Sequence, residues 1–205
     1  MTTFLLIRHA LHAYGGERIA GRQPGVHLSP DGEDQCQHLA ARLARIPIAA
    51  IYSSPLERTR QTADAVAAPH GLTPAVAEEI LELDFGDWTG QRLDDLRPLE
   101  PWKQFNSFRS GTRAPGGELM PETQLRIVRF MTELRARHPN QTVALVSHAD
   151  VIKSAVAYFL GTPLDLLLRI EISPASVSVV ALADYGPWVL GVNHTGDLPA
   201  LPNSV

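Results

Sequence analysis

Cysteine is nearly absent: Cys36 is the single thiol in 205 residues. It has no partner for an intramolecular disulfide, and no Cys/His spacing matches a zinc site. Long apolar runs are missing too, and none approaches the roughly 18 residues a membrane helix needs. The N-terminus enters a strand pattern at once, without a cationic stretch or a small-residue cleavage site. No signal peptide is therefore expected, and a reducing, cytoplasmic setting is. Positive charge is in deficit, with 18 Lys and Arg against 22 Asp and Glu. Nothing in that balance draws the chain to nucleic acid or to an anionic membrane. An anionic substrate would need positive charge gathered locally. There is also no Walker-type Gly-rich loop, no paired-aspartate metal set and no G-x-S-x-G elbow, which argues against nucleotide hydrolysis, metal-dependent phosphatase chemistry and serine hydrolysis. What is left is an ordinary globular composition, 44% apolar and 20% charged, long enough to bury a sizeable core as one domain over residues 1–205.

What is present begins with Phe4-Leu5-Leu6-Ile7, which leads straight into Arg8 and His9. Such a run suits a strand buried on both faces of a parallel sheet. Ligands in open α/β sheets sit just beyond the carboxyl ends of the strands. Taken alone, Arg8-His9 reads better as merely the polar end of a strand. Thr142 to Val146 repeats the pattern, ending in Ser147-His148 before a helix over Val151 to Leu160, whose N-terminus is a natural anion site. Ile48 to Tyr52, between these two, reads as a short strand. After it, Ser54 with Glu57 reads as a capping box and Pro55 as the first helical residue. That places Arg58 in the first helical turn, where a cation is disfavoured by roughly a few tenths of a kcal/mol. The placement makes sense if Arg58 shares an anion with the strand ends; the alternative is an exposed arginine paired with Glu57 or Glu33.

The remaining chain alternates helix and strand signals. Ser29-Pro30-Asp31 opens a helix, with Ser29 as N-cap and Pro30 at its first position. Leu125, Val128, Met131 and Leu134 predict the apolar stripe of another. The loop around Glu82, Asp84 and Asp87 holds two aromatics, of which Trp88 reads as a packing anchor. Glu82 and Asp84, two apart in extended backbone, point the same way, and either is a possible proton donor. Residues from about 92 to 120 read as a lid, with Trp102, Phe105 and Phe108 as core rather than pocket aromatics. Ser176 to Ala183 and Trp188 to Val192 form a hairpin, whose strands offer an edge for a homodimer. The last dozen residues read as a loose tail. The pattern is that of an α/β fold around a mostly parallel sheet.

Three strand ends thus offer Arg8 and His9, Arg58, and His148. Two arginines and two histidines converging in an acidic protein suit phosphate oxygens, with a carboxylate such as Glu82 beside them. Here the chain resembles the histidine phosphatases, the phosphoglycerate-mutase-like superfamily. Leu6-Ile7-Arg8-His9 resembles the Arg-His-Gly signature. Ser53 to Ala63 is similar to its Ser-Ser-x-x-x-Arg-x-x-x-Thr-Ala block, and Glu82 to Gly90 to its Glu-x-x-x-Gly-x-Trp-x-Gly loop. Pro115-Gly116-Gly117-Glu118 and Val146-Ser147-His148 match later blocks in the same order. The resemblance implies a three-layer α/β/α sandwich and a phosphomonoesterase of a small phosphorylated metabolite. It assigns His9 as the nucleophile that forms a phosphohistidine, Arg8, Arg58 and His148 as the clamp on its oxygens, and Glu82 as proton donor. Inorganic phosphate is the second product, and no metal or cofactor is implied. Ala10 replaces the usual glycine, and His12 and Gly15 stand where the family often has Thr and Asn. His12 is either a phosphate donor or a loop residue, and Arg22 is a further possible substrate binder. Asp150 is read as an acid of the first helical turn. A phosphoglycerate mutase is the alternative; Arg97, Lys103, Arg109 and Arg113 are the lid cations it would use. A non-catalytic phosphate-binding protein on the same fold is the third reading.

Overall fold

Phe4, Leu5, Leu6 and Ile7 are all fully buried because β1 (Thr2–Arg8) lies inside a six-stranded sheet covered on both faces. The other strands are β2 (Ile48–Ser53), β3 (Ala75–Val76), β4 (Thr142–Ser147), β5 (Val177–Ala183) and β6 (Gly186–His194). Their order is β3-β2-β4-β1-β5-β6. The first four run parallel, and β5 and β6 add an antiparallel margin. This computed structural model describes residues 1–198 and residue 201. The expected loose tail lies partly outside the described residues; of those described, Leu198 and Leu201 pack against the core.

Alternation along the strands builds the layers. Leu5 and Ile7 face one side, where Cys36, Leu39 and Leu43 of α1 (Pro30–Leu43) and Ala63 and Val66 of α2 (Glu57–Ala67) cover them. Phe4 and Leu6 face the other, against α5 (Met120–Arg137) and α6 (Ala149–Leu160). The result is the three-layer sandwich. Ser29 caps α1 as expected, its Oγ accepting from the Gly32 N–H at 3.1 Å. No helix among the described residues is long and apolar enough to cross a membrane.

Two local expectations are corrected. The stripe expected on α5 drifts off its core face: Met120, Thr123, Ile127, Phe130, Met131 and Leu134 are buried, whereas Leu125 is 59% exposed. Steps of three cannot follow a helix of 3.6 residues per turn, so each step rotates the stripe out of register. Leu125 and Val128 instead line a shallow groove with Tyr158. The Ser54–Glu57 capping box does not form either. α2 begins at Glu57 with Leu56 as its cap and no side-chain cap bond, because Ser54 is engaged by a residue 94 positions away, described below.

A third apolar cluster sits beyond the strand ends. α3 (Leu93–Leu96) and α4 (Glu100–Ser107) contribute Leu96 and Phe105, which pack with Leu83, Phe85, Trp88, Met120 and Leu167. Trp88 is buried there, a packing anchor as expected. Phe108, expected in the core, is instead exposed at 51%, because it lies just past the end of α4, and Trp102 faces both the cluster and a cleft. The turn after α4 is tied down at Asp165, whose carboxylate accepts from the Ser110 N–H and Oγ–H at 2.8 and 3.0 Å.

Candidate active site

The parallel register aligns Arg8 with Ser147 and Ser53 with Val146, so His9, Ser54 and His148 leave the sheet side by side. The ladder continues one bond past each strand: the His9 N–H donates to Ser147 O at 2.9 Å and the Ser54 N–H to Val146 O at 3.0 Å. His9 is 3% exposed. Its Nδ1 lies 2.7 Å from Ala10 O. A carbonyl only accepts, so Nδ1 carries the proton and the Nε2 lone pair is left for chemistry. Burial, with Arg58 and Arg8 nearby, holds the ring well below the ordinary histidine range and therefore neutral. Ala10 is buried without positive φ, and its N–H donates to Thr62 Oγ1 at 3.1 Å. The missing glycine thus costs the backbone nothing.

Arg58 is almost wholly buried, at 1% exposed. One of its terminal nitrogens donates to Gly21 O at 2.7 Å and lies 3.4 Å from His148 Nδ1. Its Nε and other terminal nitrogen find no hydrogen-bond partner among the described residues, nor does Arg8 Nε. Arg8 is otherwise fixed by a 2.6 Å bond to Ile172 O. Buried guanidinium donors without acceptors are costly. Their common position beside His9 in a cleft of about 300 Å³ fits an anion with several acceptor oxygens.

Glu82 lines the same cleft, and Asp84 does not. Asp84 turns away to accept from the Gly86 N–H at 2.9 Å and to pair with Arg22 at 3.5 Å. Burial raises the Glu82 carboxyl to about 7; Asp150 adds to the effect, and Arg58 and Arg8 oppose it. His148 lies deeper than the sequence suggested. It is fully buried and off the cleft surface, with its ring edge-on to His9 at 5.2 Å. Its Nε2 is 2.8 Å from Ser54 Oγ, and its Nδ1 is 3.7 Å from Glu82 Oε2. Arg22 also lies behind the cleft, where its Nε donates to the Glu82 carbonyl at 2.8 Å. His12 does line the cleft, 5.3 Å from His9 between ring centroids. Its Nδ1 accepts from the Tyr14 N–H at 3.2 Å, which leaves Nε2–H as a donor. Burial, with Arg58 and Arg8, lowers its ring to about 4.

Sequence reasoning missed Ser54, read as a cap, and the partnership of Arg109 with Asp150. Asp150 is more than a first-turn acid. Its Oδ2 accepts from a terminal nitrogen of Arg109 at 2.8 Å, and the other terminal nitrogen donates to Asn106 Oδ1 at 2.9 Å. The guanidinium also lies over the Phe105 ring, 4.3 Å from its centroid. Arg109, Asn106 and Trp102 line the same cleft as His9. Nothing in the local sequence links positions 41 residues apart. Arg109 and Asp150 are both largely buried, so Arg109→Leu is expected to strand a carboxylate and cost about 3–5 kcal/mol. That corresponds to a fall in Tm of roughly 6–20 °C. Thermal denaturation of the single variant and of the Arg109→Leu/Asp150→Leu double variant checks this, since the double variant recovers most of the loss. Equal losses in both would show that packing, not the pair, matters.

The other lid cations are already engaged: Arg97 with Asp94 at 2.9 Å, Lys103 with Glu100 at 3.5 Å and Arg113 with Glu122 at 2.6 Å, all exposed. None of these three lines the cleft.

Comparison with known proteins identifies the family. A family model described as the histidine phosphatase superfamily (branch 1) matches residues 4–195. Phosphoserine phosphatase 1 of Hydrogenobacter thermophilus is 32% identical, over 95% of this chain and 93% of that protein. A probable phosphoglycerate mutase, GpmB, of an Enterobacter species is 28% identical, over 98% and 95%. Among solved structures, YhfR of Bacillus stearothermophilus superposes with a TM-score of 0.87 at 28% identity, over 97% of this chain and 98% of that one.

Proposed function

Because this chain belongs to the histidine phosphatase superfamily, we propose that it is a phosphomonoesterase working through a phosphohistidine on His9. The observation that carries this is a neutral, buried His9 with Nε2 free, flanked by arginine donors that lack protein acceptors. Nε2 attacks phosphorus while the bond to the leaving oxygen breaks, and Glu82 delivers its proton to that oxygen. Arg8 and Arg58 stabilise the charge on the equatorial oxygens. His12 Nε2–H is a further donor on the open side. His148 acts from beneath, through the Arg58 and Glu82 it touches. Glu82, now a carboxylate, takes a proton from water; the water oxygen bonds to phosphorus, the P–N bond breaks and inorganic phosphate leaves. Arg22 holds the Glu82 loop rather than the substrate.

The substrate is a small phosphorylated metabolite, and the phosphoserine phosphatase relative makes phosphoserine the first compound to try. Hydrolysis is favoured over mutase activity because each lid cation that would hold a second acidic group is already paired. A panel of phosphomonoesters, phosphoserine and 3-phosphoglycerate among them, tests the reading by phosphate release. Isomerisation of 3-phosphoglycerate with a bisphosphate primer and no net phosphate would overturn it.

The pH profile carries its own expectation. The donor must be protonated, and the Glu82 carboxyl is raised to about 7. Its proton is present below that value and lost above it. Turnover of alkyl phosphates should therefore fall from about pH 7 upward, approaching tenfold per pH unit. Because the His9 ring is lowered, its protonation limits the rate only on the acid side, below its ordinary range. A rate for alkyl esters that stays flat to pH 9 would remove Glu82 from the donor role.

A further inference from the structure

The block Pro115-Gly116-Gly117-Glu118 contributes nothing to the cleft wall. It lies instead against the back of the loop that carries Glu82. The Glu118 N–H donates to Asp84 O at 2.9 Å and the Asp87 N–H to Pro115 O at 2.8 Å. The two loops approach so closely that a Cβ on Gly117 would collide with Asp84 O, and one on Gly86 with Pro115 O. The Glu118 side chain completes the joint. Its Oε2 accepts from the Asp84 N–H at 3.0 Å and from Thr123 Oγ1–H at 3.1 Å. The same oxygen is paired with Arg22 at 2.8 Å and Arg126 at 3.4 Å. Both arginines then donate to one atom, the Glu82 carbonyl oxygen, at 2.8 and 3.2 Å. Glu118 is thus the common anchor of the two cations that grip the Glu82 backbone.

We propose that Glu118 is a positioning residue for proton donation: through Arg22 and Arg126 it sets where the Glu82 carboxyl stands relative to the leaving oxygen. This rests on the reading of Glu82 as the donor. A backbone free to shift by an ångström would carry the carboxyl out of hydrogen-bond reach, and proton transfer would slow while phosphate binding by Arg8 and Arg58 stayed intact. Glutamine at 118 keeps the shape but offers the arginines no charge, so the grip loosens. The groups facing the Glu82 carboxyl itself are the Leu83 N–H, which donates to its Oε1 at 2.9 Å, Arg8 from β1, Arg58 from α2, and His148 and Asp150 around the start of α6. None of them is altered by the change.

The test compares two esters of different need. The alkyl ester turned over fastest in the panel requires a proton on its departing alkoxide, whereas the nitrophenolate of p-nitrophenyl phosphate leaves with little help. Glu82→Gln sets the scale, with an expected loss of about 10²–10⁴-fold in kcat on the alkyl ester and far less on the aryl ester. Glu118→Gln is expected to show the same selective pattern, a loss of roughly 10–100-fold on the alkyl ester against a few-fold on the aryl ester, with KM little changed. Arg22→Met should repeat the split, and it replaces the first variant if circular dichroism shows that Glu118→Gln does not fold. Equal losses on both esters, or no loss on either, would overturn the proposal. If Glu82→Gln itself shows no split between the esters, the donor reading has failed instead, and the two failures are told apart.

Discussion

His9→Ala is expected to abolish phosphatase turnover, with kcat falling on the order of 10⁴-fold or more, as when a nucleophile is removed from a preorganised site. Rapid quenching of the wild type with ³²P-labelled substrate should trap an acid-labile, alkali-stable label, and the variant should trap none. The fold should survive. Among the described residues the side chain bonds only to the neighbouring Ala10 carbonyl, so its loss costs about 1 kcal/mol from hydrogen bonding. The Ala10 N–H keeps its bond to Thr62. Phosphate or vanadate should still raise the Tm of the variant, because Arg8 and Arg58 remain and any ligand of the native state stabilises it by mass action. A label that persists in the variant would refute the nucleophile assignment. Loss of both label and ligand-induced stabilisation would mean that His9 shapes the anion site rather than attacking from it.

Arg58→Met is expected to move activity and stability in opposite directions. Removal of one preorganised donor to the developing charge costs about 2.7–4 kcal/mol of barrier, or roughly 10²–10³-fold in kcat. Yet Arg58 is buried with two of its nitrogens unpartnered among the described residues. That arrangement burdens the folded state in the absence of an anion. Methionine fills most of the volume without the charge, so the Tm measured without phosphate should hold or rise, by roughly 2–4 °C for each kcal/mol gained. The comparison belongs near pH 6, below the value of about 7 to which Glu82 is raised. There Glu82 is mostly protonated and loses little when its cationic neighbour goes. Phosphate should no longer shift the Tm appreciably. A steep loss of stability with kcat retained would show Arg58 to be a structural cation and would withdraw it from the clamp.

These expectations draw unequally on sequence and structure. The strand ends were legible because a parallel strand covered on both faces has to be apolar throughout. Its first polar residue therefore marks where it ends, as Arg8 does after Ile7 and Ser147, next to His148, does after Val146. Arg58, proposed for the clamp, was legible for a different reason, its awkward place in the first turn of a helix. Ser54 was misread because a serine three residues before a glutamate satisfies a local capping rule, and only the neighbouring strand end reveals the competing partner in His148. Leu125 was misread because a step of three fits a short window and then drifts, whereas Val128, half-buried, still packs against the core.

The sequence alone therefore determined the layered α/β architecture, the family and the gathering of Arg8, His9 and Arg58 at one edge of the sheet. The α/β layering and the strand-end gathering follow from periodicity and from the solvation of a strand's last residues, both properties of neighbours in the chain; the family follows from the resemblance of five motif blocks in the same order. The tertiary structure decided which carboxylate lines the cleft beside His9, that His148 is buried behind it, that Arg22 and Glu118 hold the Glu82 loop, and that Arg109 is paired with Asp150. In extended backbone Glu82 and Asp84 point the same way. What separates them is the pairing of residues 84–87 with residues 115–118, some 30 positions along the chain. Contacts of that range are set by packing and by hydrogen-bond satisfaction across elements, which no local pattern encodes.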